Sequence, residues 1–261
     1  EILAAFGDYS TISDAVAAVQ ALYPGSDAAE IRAGVEEFTA EALRLGVLEV
    51  EYKQRRRRED LEREISREAS AGQDLHSATI ELTYRCNERC RHCYVVEDAK
   101  RELTTDEVKD VLDQLAELNV CNVTFTGGEV FLRKDAFEIL QHAYDRRFVV
   151  DIFTNGALLR AEDWIRLKSL WPRCVHFSVY SHVASRHDAI TMVPGSFERT
   201  MASLRGCSLI GIPVNVKSSV MTETVDDVEG LIRLAESVGA SIELGRNIVP
   251  RRDGDLRGTE L

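Results

Sequence analysis

The chain has 261 residues, a net charge of −12, and 44% hydrophobic and 29% charged residues, which suits one large globular domain with a smaller one. The acidic charge argues against a nucleic-acid partner, because neutralising phosphates needs a basic surface. No apolar run approaches the roughly 18 residues of a membrane span, and Glu1–Leu3 lacks the basic start of a secretion signal, so we expect a cytoplasmic protein without a membrane partner.

Residues 1–51 are predicted to form a small helical unit. Thr11 with Asp14, and Asp27 with Glu30, have the spacing of a capping box, which satisfies the free amides of a first helical turn. After the second pair, apolar residues recur every three or four positions, as on one face of a helix. They are Ile31, Val35, Phe38, Ala42 and Leu45.

The first unit is expected to end in a strand and a linker. Gly46 is placed to stop the second helix, and Val47–Val50 is predicted as a short strand. Residues 52–77 are highly charged and poor in apolar residues, which is typical of a linker. The basic run Arg55–Arg58 continues directly into acidic residues, so we interpret it as a solvated, salt-bridged segment.

From residue 78 onward, strand and helix patterns alternate. Strands are predicted at Thr79–Thr83, Asn122–Thr126, Val149–Phe153, Val175–Val179, Pro213–Val220 and Ser241–Leu244. Helices are predicted at 105–119, 134–146, 161–170, 197–209 and 226–238. This alternation predicts an α/β fold with a parallel sheet covered by helices. Six strands are too few for a closed eight-stranded barrel, which leaves a partial (β/α)6 barrel or an open sheet, with ligands at the carboxyl ends of the strands.

Three of the six cysteines lie in one loop after the first predicted strand. Cys86, Cys90 and Cys93 have C-x3-C-x2-C spacing, and soft thiolates that can point at a common centre favour an iron–sulfur cluster or zinc. Three protein ligands leave one iron of a four-iron cluster open, as a catalytic site requires. Zinc would need a fourth ligand, yet His92 is too close along the chain to Cys93 to join easily, and no second C-x2-C pair occurs.

The other cysteines stand singly in apolar surroundings. A secreted disulfide scaffold would be shorter and richer in cysteine. Cys121, Cys174 and Cys207 are therefore predicted to be core or partly buried thiols rather than ligands.

The motif C-x3-C-x-aromatic-C after the first strand of a β/α sheet resembles that of the radical S-adenosylmethionine (SAM) superfamily, with His92 in the aromatic, cofactor-binding position. The resemblance implies that Cys86, Cys90 and Cys93 hold a [4Fe-4S] cluster whose open iron chelates the amino and carboxylate groups of SAM. It also implies that an external electron donor, such as flavodoxin or ferredoxin, supports cleavage of SAM to a 5′-deoxyadenosyl radical, which abstracts a substrate hydrogen.

The end of the second predicted strand resembles the G-G-E-P motif of the same superfamily. Gly127, Gly128 and Glu129 match it, and Val130 replaces the proline. Glycines allow close approach of the backbone to a ligand, and a carboxylate can accept a hydrogen bond from an ammonium group. The resemblance implies that this segment contacts the amino group of SAM.

Later strand ends supply further candidates. Thr154 and Asn155, after the third strand, and Ser178, at the end of the fourth, resemble positions that line the SAM ribose or carboxylate. Lys217, on the fifth strand, either reaches that carboxylate or is an ordinary solvated lysine. The pair His187–Asp188 resembles a family pattern and fits a loop-ordering pair equally well.

The two ends of the chain carry weaker resemblances. Glu1–Asp8 with Ser10–Ile12 resembles the helical half of the winged-helix fold shared by the peptide chaperone of pyrroloquinoline quinone biosynthesis and by recognition elements for ribosomally made, post-translationally modified peptides (RiPPs). There, a leader peptide adds a strand to a three-stranded sheet that precedes these helices. The chain starts at the first helix, so those strands are expected to be missing. A helical appendage that binds nothing is the alternative.

Ile248–Gly254 resembles the stretch before a SPASM domain, a cysteine-rich extension with auxiliary [4Fe-4S] clusters, so the sequence is expected to be part of a longer enzyme. Together these features predict a radical SAM enzyme that modifies a ribosomal precursor peptide by crosslinking, epimerisation or a related hydrogen abstraction. The alternatives are a sulfatase-maturating or quinone-cofactor type of radical SAM enzyme and a non-catalytic metal-binding scaffold or peptide chaperone.

Overall fold

The computed structural model divides the chain into two compact units, residues 1–62 and 63–261, and the division falls inside the predicted linker. It describes residues 11–23, 25–44, 75–95, 101–246 and 248–256. The predictions for Glu1–Asp8, Gly46 and Val47–Val50 lie outside these residues. None of the helices in the described ranges is long and apolar enough to cross a membrane.

Within its described residues, the first unit contains two helices, and each is capped by the side chain predicted at its start. α1 spans Ile12–Leu22 and α2 spans Ala28–Arg44. Thr11 Oγ1 accepts from the Asp14 amide at 3.2 Å, and Asp14 Oδ2 accepts from the Thr11 amide at 2.9 Å, which confirms the capping box. Asp27 Oδ1 caps α2 by accepting from the Ala29 amide at 2.6 Å. The helices share a small core of Ala15, Val19 and Val35, with Val16 and Ile31 at its edge.

The second unit is a parallel six-stranded sheet in the order β1-β2-β3-β4-β5-β6. The strands are Ser77–Glu81, Asn122–Thr126, Val149–Thr154, Cys174–Ser178, Val214–Ser219 and Ser241–Gly245. The connecting helices are α3 Thr105–Glu117, α4 Ala136–Asp145, α5 Ala161–Ser169, α6 Ala184–Thr191, α7 Ser196–Leu209 and α8 Val228–Ser237. Short 3-10 turns cover Val130–Leu132 and Val225–Asp227. Because strand order follows chain order without a pairing of β1 with β6 in these ranges, the sheet is the predicted partial (β/α)6 barrel.

Alternate strand residues have opposite surroundings, as the two-residue period of a strand requires. One set is fully buried in the core beneath the helices and includes Val123, Phe125, Val175, Phe177 and Val216. Cys207 lies in this core, whereas Cys121 and Cys174 are partly buried, as predicted. The other set forms what we call the inner face of the sheet. Its members include Thr124, Asp151, Phe153, His176, Ser178, Asn215, Lys217 and Glu243.

The structure corrects the sequence analysis at one strand and adds one helix. β1 spans Ser77–Glu81 rather than Thr79–Thr83, because Thr83 turns out of the sheet and its side chain bonds to Glu102 and to the Arg85 amide. Helix α6 was not predicted. The other strands lie within one residue of their predicted ends.

A charged contact links the segment after β6 to β1. Arg252 Nη2 donates to both carboxylate oxygens of Glu81 at 2.7 Å, and the Arg252 amide donates to the Tyr94 carbonyl oxygen at 3.1 Å. The guanidinium group also lies over the rings of Tyr84 and Tyr94, 5.1 and 5.4 Å from their centres. The two edge strands are therefore connected at their carboxyl ends through side chains.

Candidate functional site

The predicted ligand loop follows β1 at the carboxyl end of the sheet. Cys86, Cys90 and Cys93 are partly buried free thiols. A turn joins the last two, with the Cys93 amide donating to the Cys90 carbonyl oxygen at 3.1 Å. Across the described ranges, no group of three or more His, Cys, Asp or Glu side chains is arranged to hold a metal ion. The structure places the three thiols in one loop, and their role as cluster ligands stays a prediction.

Burial favours the protonated form of Cys86 and Cys90. It raises the pKa of Cys86 to about 11, although the Glu88 amide donates to that sulfur at 3.4 Å and acts in the opposite direction. It also raises the pKa of Cys90 well above its usual value, and the Glu88 carboxylate adds to that shift. Metal ligands must be thiolates, so a positively charged centre is needed to hold them here. Three soft sulfur donors in a half-buried loop fit an iron–sulfur cluster.

Asn155, at the end of β3, contacts the ligand loop directly. Its Nδ2 atom donates to Asn87 Oδ1 at 2.8 Å and lies 3.8 Å from Cys86 Sγ. Its Oδ1 atom accepts from the Ala157 amide at 3.0 Å, and its carbonyl oxygen accepts from Thr200 Oγ1 at 2.6 Å. This predicted cofactor residue is therefore held beside the first cysteine by several hydrogen bonds.

Gly127 and Gly128 pack against the chain that leads into the ligand loop. The Gly128 amide donates to the Thr83 carbonyl oxygen at 2.7 Å, and the Glu129 amide donates to that of Arg85 at 3.0 Å. A Cβ atom on Gly127 would lie 2.3 Å from the Thr83 oxygen, and one on Gly128 would lie 2.2 Å from the Arg85 oxygen. Gly127 also has φ of +137°, which favours glycine. Loop packing thus requires both glycines, and their approach to SAM stays a prediction.

Glu129 is buried and joins the ends of β2 and β3. Its Oε1 atom accepts from the Phe131 amide at 3.0 Å and from Thr154 Oγ1 at 2.7 Å, and Oε2 accepts from the Asn155 amide at 2.7 Å. Burial raises the pKa of Glu129, while the three hydrogen bonds favour the ionised form. A carboxylate has about four acceptor positions, so one is left on Oε2 for an ammonium group.

Ser178 and Lys217 lie opposite each other on the inner face, paired across β4 and β5. Lys217 Nζ lies 2.7 Å from Glu243 Oε1 and 4.6 Å from the centre of the Phe153 ring. The ammonium group already has a carboxylate partner, so contact with the SAM carboxylate requires it to share or leave Glu243.

His92 packs inside the ligand loop. Its ring meets the Tyr180 ring edge-on, with centres 4.4 Å apart and planes at 72°. Burial lowers the pKa of His92 to about 4, so the ring is neutral near pH 7. Within the part of the chain that the structure describes, its buried Nδ1 atom has no hydrogen-bond partner. Its contact with SAM stays a prediction.

The carboxyl end of α6 supports the ligand loop. The Arg89 amide donates to the Thr191 carbonyl oxygen and the Arg91 amide to that of Ile190, each at 3.0 Å. The last carbonyl groups of a helix have no hydrogen-bond donor within that helix. The amides of Arg89 and Arg91 are the donors for two of these carbonyl groups in α6. The Gly127–Glu129 turn thus holds the start of the ligand loop, at Thr83 and Arg85. The carboxyl end of α6 holds the loop further along, at Arg89 and Arg91.

His187 and Asp188 lie in α6 and form hydrogen bonds with neighbouring segments of the chain. Asp188 carboxylate oxygens accept from the amides of Gly195 at 2.6 Å and Phe197 at 2.9 Å, which orders the turn before α7. His187 Nδ1 accepts from the Tyr180 amide at 3.3 Å. These contacts agree with the loop-ordering interpretation of the pair.

Glu88 was not singled out from the sequence. It is only 4% exposed, and Cys90 Sγ donates to its Oε2 atom at 3.6 Å. Burial raises the pKa of Glu88 to about 7. Its position between Cys86 and Cys90, two of the predicted cluster ligands, was the available signal, because a carboxylate inside that spacing must share the surroundings of the thiols.

The structure places a loop with three cysteines at the carboxyl end of a partial β/α barrel. The sequence profile of the radical SAM superfamily matches residues 80–235, and the chain belongs to this superfamily. Its members are enzymes that use a [4Fe-4S] cluster and SAM, as the cysteine motif predicts.

Curated relatives are about one third identical to the chain. The AdoMet-dependent heme synthase of Methanosarcina barkeri is 31% identical over 178 residues, which are 67% of this chain and 51% of that protein. The antilisterial bacteriocin subtilosin biosynthesis protein AlbA of Bacillus subtilis is 32% identical over 169 residues, 64% of this chain and 38% of its own. The chain thus spans about half the length, or less, of these curated relatives.

Solved structures confirm the fold. Streptococcus suis SuiB bound to its precursor peptide SuiA superposes with a TM-score of 0.61 at 12% identity, over 84% of this chain and 45% of that chain. SuiB bound to S-adenosylmethionine gives 0.61 at 13% identity, over 84% and 54%. The partial (β/α)6 barrel predicted from the sequence is therefore correct.

Proposed function

We propose that this protein is a radical SAM enzyme that modifies a ribosomally synthesised precursor peptide by crosslinking, epimerisation or a related hydrogen abstraction. Two similarities support a peptide substrate. SuiB, which shares the fold, was solved with its precursor peptide, and AlbA is a biosynthesis protein for a bacteriocin.

The observation that carries the proposal is the polarity of the inner face of the sheet. Hydroxyl, amide, ammonium and carboxylate groups lie there, and Asn215, Lys217 and Glu243 are examples. Such groups can pair with the amides and polar side chains of a peptide, because buried polar groups need hydrogen-bond partners. Lys217 and Glu243 already pair with each other, but the buried Oδ1 atom of Asn215 has no partner within the part of the chain that the structure describes, and a flat, largely apolar ring system offers it none.

Different residues of the site would bind the cluster and SAM. Cys86, Cys90 and Cys93 would hold the cluster, which supplies the one-electron cleavage of SAM when both are bound. Asn155 orients the loop at Cys86 through its bond to Asn87. Glu129 has one acceptor position left for the amino group of SAM, and its other bonds fix the ends of β2 and β3 relative to each other.

A tetrapyrrole is the second candidate substrate, because the heme synthase of Methanosarcina barkeri is 31% identical to this chain. The inner face contributes one aromatic ring from β3, that of Phe153, beside charged and hydroxyl-bearing neighbours. This composition favours the peptide over the tetrapyrrole.

The test uses full-length protein purified and reconstituted without oxygen. With SAM and a chemical reductant, it is expected to form 5′-deoxyadenosine and to change the mass of a precursor peptide encoded near its gene. Cys90→Ala should abolish both products, and Cys121→Ala, a partly buried thiol outside the ligand loop, should retain them. Absence of 5′-deoxyadenosine would overturn the radical SAM function. Turnover of an iron-bound or metal-free porphyrin without any change in the peptide would overturn the peptide assignment.

The helices of the first unit are proposed to take part in leader-peptide binding. The proposal rests on the sequence resemblance and on the caps of α1 and α2. Fluorescence anisotropy with a labelled leader peptide tests it. Equal affinity of the full-length protein and a variant without residues 1–51 would contradict it.

A further inference from the structure

Two buried polar atoms on the inner face of the sheet have no hydrogen-bond partner among the residues that the structure describes. They are Nδ1 of His176, on β4, and Oδ1 of Asn215, on β5. The two residues are direct register partners across these strands, and Asn215 is only 7% exposed. A buried polar atom without a partner costs free energy, so a pair of them side by side indicates that something else binds there.

The orientation of the Asn215 amide follows from its contact with β6. Its Nδ2 atom donates to Ser241 Oγ at 2.8 Å, and the Ser241 hydroxyl donates to the Val214 carbonyl oxygen at 3.5 Å. Because the only hydroxyl hydrogen is used on Val214, Ser241 accepts from Asn215, and the NH2 group lies on the β6 side. The oxygen and nitrogen of an amide diverge from one carbon, so Oδ1 faces the other side, where β4 lies.

His176 leans in the opposite direction. Its Nε2 atom lies 3.7 Å from Asp151 Oδ1, and its ring contacts that of Phe153, with centres 4.6 Å apart, so both contacts are with β3. The two nitrogens of an imidazole ring point in nearly opposite directions, and Nδ1 therefore faces away from β3, on the side of β5. Burial acts to lower the pKa of His176, but Asp151 and Cys174 raise it to about 9, so Nδ1 carries a hydrogen near pH 7.

The pair thus offers one donor and one acceptor. Lys217, two residues further along β5, adds no free charge, because its ammonium group lies 2.7 Å from Glu243 Oε1. A carboxylate could accept from His176 but has no hydrogen for Asn215 Oδ1. An ammonium group could donate to Asn215 but would face the N–H of His176. The group that satisfies both atoms is neutral and has an acceptor and a donor of its own.

We propose that His176 and Asn215 bind a primary carboxamide, the side-chain group of asparagine and glutamine, on the precursor peptide. The carboxamide oxygen accepts from His176 Nδ1, and its NH2 group donates to Asn215 Oδ1. A backbone peptide group fits less well, because its trans geometry directs C=O and N–H to opposite sides. The inference rests on the proposed function and deepens it, because it names a side chain that the peptide must carry.

Matched changes in the enzyme and in the peptide test the site. In the precursor peptide encoded near the gene, each Gln is replaced in turn by Met or Glu, and each Asn by Leu or Asp. With the wild-type enzyme, both replacements of one carboxamide should lower kcat/KM for peptide modification by about 10-fold to 100-fold. Asn215→Leu should lower kcat/KM for the unchanged peptide by a similar factor, and loss of that carboxamide should then have no further effect.

Two further variants support the comparison. Gln141→Met removes an exposed carboxamide from α4 and should keep the wild-type preference among the peptides. If Asn215→Leu does not fold, Asn215→Asp replaces it, because the new carboxylate would pair with the His176 imidazolium and occupy the donor. Thermal unfolding, and 5′-deoxyadenosine formed without peptide, check that each variant keeps its fold and its cluster.

Losses that multiply in the combined enzyme and peptide changes would overturn the contact. A peptide in which no Asn or Gln replacement lowers kcat/KM would show that the two atoms hold only water, and it would overturn the site. An acidic replacement that is modified as well as the carboxamide would make this an anion site instead. A wild-type enzyme that leaves the peptide unmodified would overturn the proposed function, so the two failures are distinguishable.

Discussion

Gly128 lies so close to Arg85 that a single added Cβ atom would stand 2.2 Å from the Arg85 carbonyl oxygen. Two backbone hydrogen bonds join the same segments, from the amides of Gly128 and Glu129 to the carbonyl oxygens of Thr83 and Arg85. The turn after β2 and the start of the ligand loop therefore move as one unit. A substitution in the turn should affect iron binding although the turn contains no iron ligand.

The first prediction concerns Gly128→Ala. The added methyl group must displace backbone, so we expect a loss of about 1–3 kcal/mol in the free energy of unfolding and a lower iron content after reconstitution. Gly245→Ala is the control, because a Cβ there would meet only the Ser218 carbonyl oxygen at an ordinary 3.7 Å. Urea unfolding and an iron assay give both quantities, and equal iron content in the two variants would contradict the expected coupling.

The second prediction concerns Glu129→Gln, which keeps the shape of the side chain. Its three partners are donors, namely the amides of Phe131 and Asn155 and the hydroxyl of Thr154. A glutamine NH2 group would face at least one of them without an acceptor, and we expect a loss of about 2–3 kcal/mol in the free energy of unfolding. Chemical denaturation measures it. A change below about 0.5 kcal/mol would show that the carboxylate is not needed for the fold and exists for the ligand alone.

The third prediction is a pH dependence at the amino end of the inner face. His176 Nε2 lies 3.7 Å from Asp151 Oδ1, and Arg173 Nε donates to the same oxygen at 3.0 Å. Burial alone would lower the pKa of His176, but the neighbouring Asp151 and Cys174 side chains raise it to about 9. The pKa of His176 in the folded state is above its unfolded value of about 6.5. The protonated imidazole therefore stabilises the fold fully below about pH 6.5, and this stabilisation is lost as the pH rises through about 9.

His176→Gln removes this titration. At pH 6 the variant should be less stable than the wild type by about 1–2 kcal/mol, after allowance for solvent screening, and near pH 10 the difference should largely disappear. Urea unfolding at both pH values is the measurement. A difference that stays constant between pH 6 and pH 10 would falsify the link to the His176 imidazolium group.

The fourth prediction tests Lys217, whose ammonium group is shared with Glu243 at 2.7 Å. If Lys217 also binds the SAM carboxylate, then Glu243→Gln should strengthen SAM binding several-fold by releasing the ammonium group, and Lys217→Met should weaken it by roughly 10-fold, about 1.4 kcal/mol. Isothermal titration of SAM into the cluster-loaded protein distinguishes these effects. Unchanged affinity for SAM in both variants would show that Lys217 pairs with Glu243 on the inner face and does not bind SAM.

Much of the barrel could be predicted because its strands obey simple local patterns. β2 was predicted with both ends correct, since an apolar residue alternates with a polar one until the glycine turn. β1 was displaced by two residues, because Leu82 and Thr83 continue the strand pattern while the bond from Thr83 to Glu102 takes the chain out of the sheet. That contact joins residues far apart in sequence, and periodicity does not report it.

Helix α6 was missed for a different physical reason. Its buried residues include His187 and Thr191, so the apolar spacing that reveals a helix is absent. The cysteines were singled out by their spacing within one loop, and the Gly127–Glu129 turn by its resemblance to a motif of the superfamily. The contacts of Glu129 with Thr154 and Asn155, and the contact of Tyr180 with His92, depend on tertiary packing, and only the folded chain shows them.

Backbone hydrogen bonds hold the cysteine loop from two directions. The amides of Gly128 and Glu129 donate to it, and its own amides donate to the carbonyl oxygens of Thr191 and Ile190. These bonds have a consequence for an enzyme exposed to oxygen. The conformational entropy of the loop is lost when the sheet folds rather than when iron arrives. A protein whose iron has been removed by oxygen would then retain the backbone course of the cysteine loop, and only the three thiols would have to turn towards the metal again. Rebuilding the cluster would require iron, sulfide and electrons but no refolding of the chain. Loss of the cluster to oxygen would therefore be reversible.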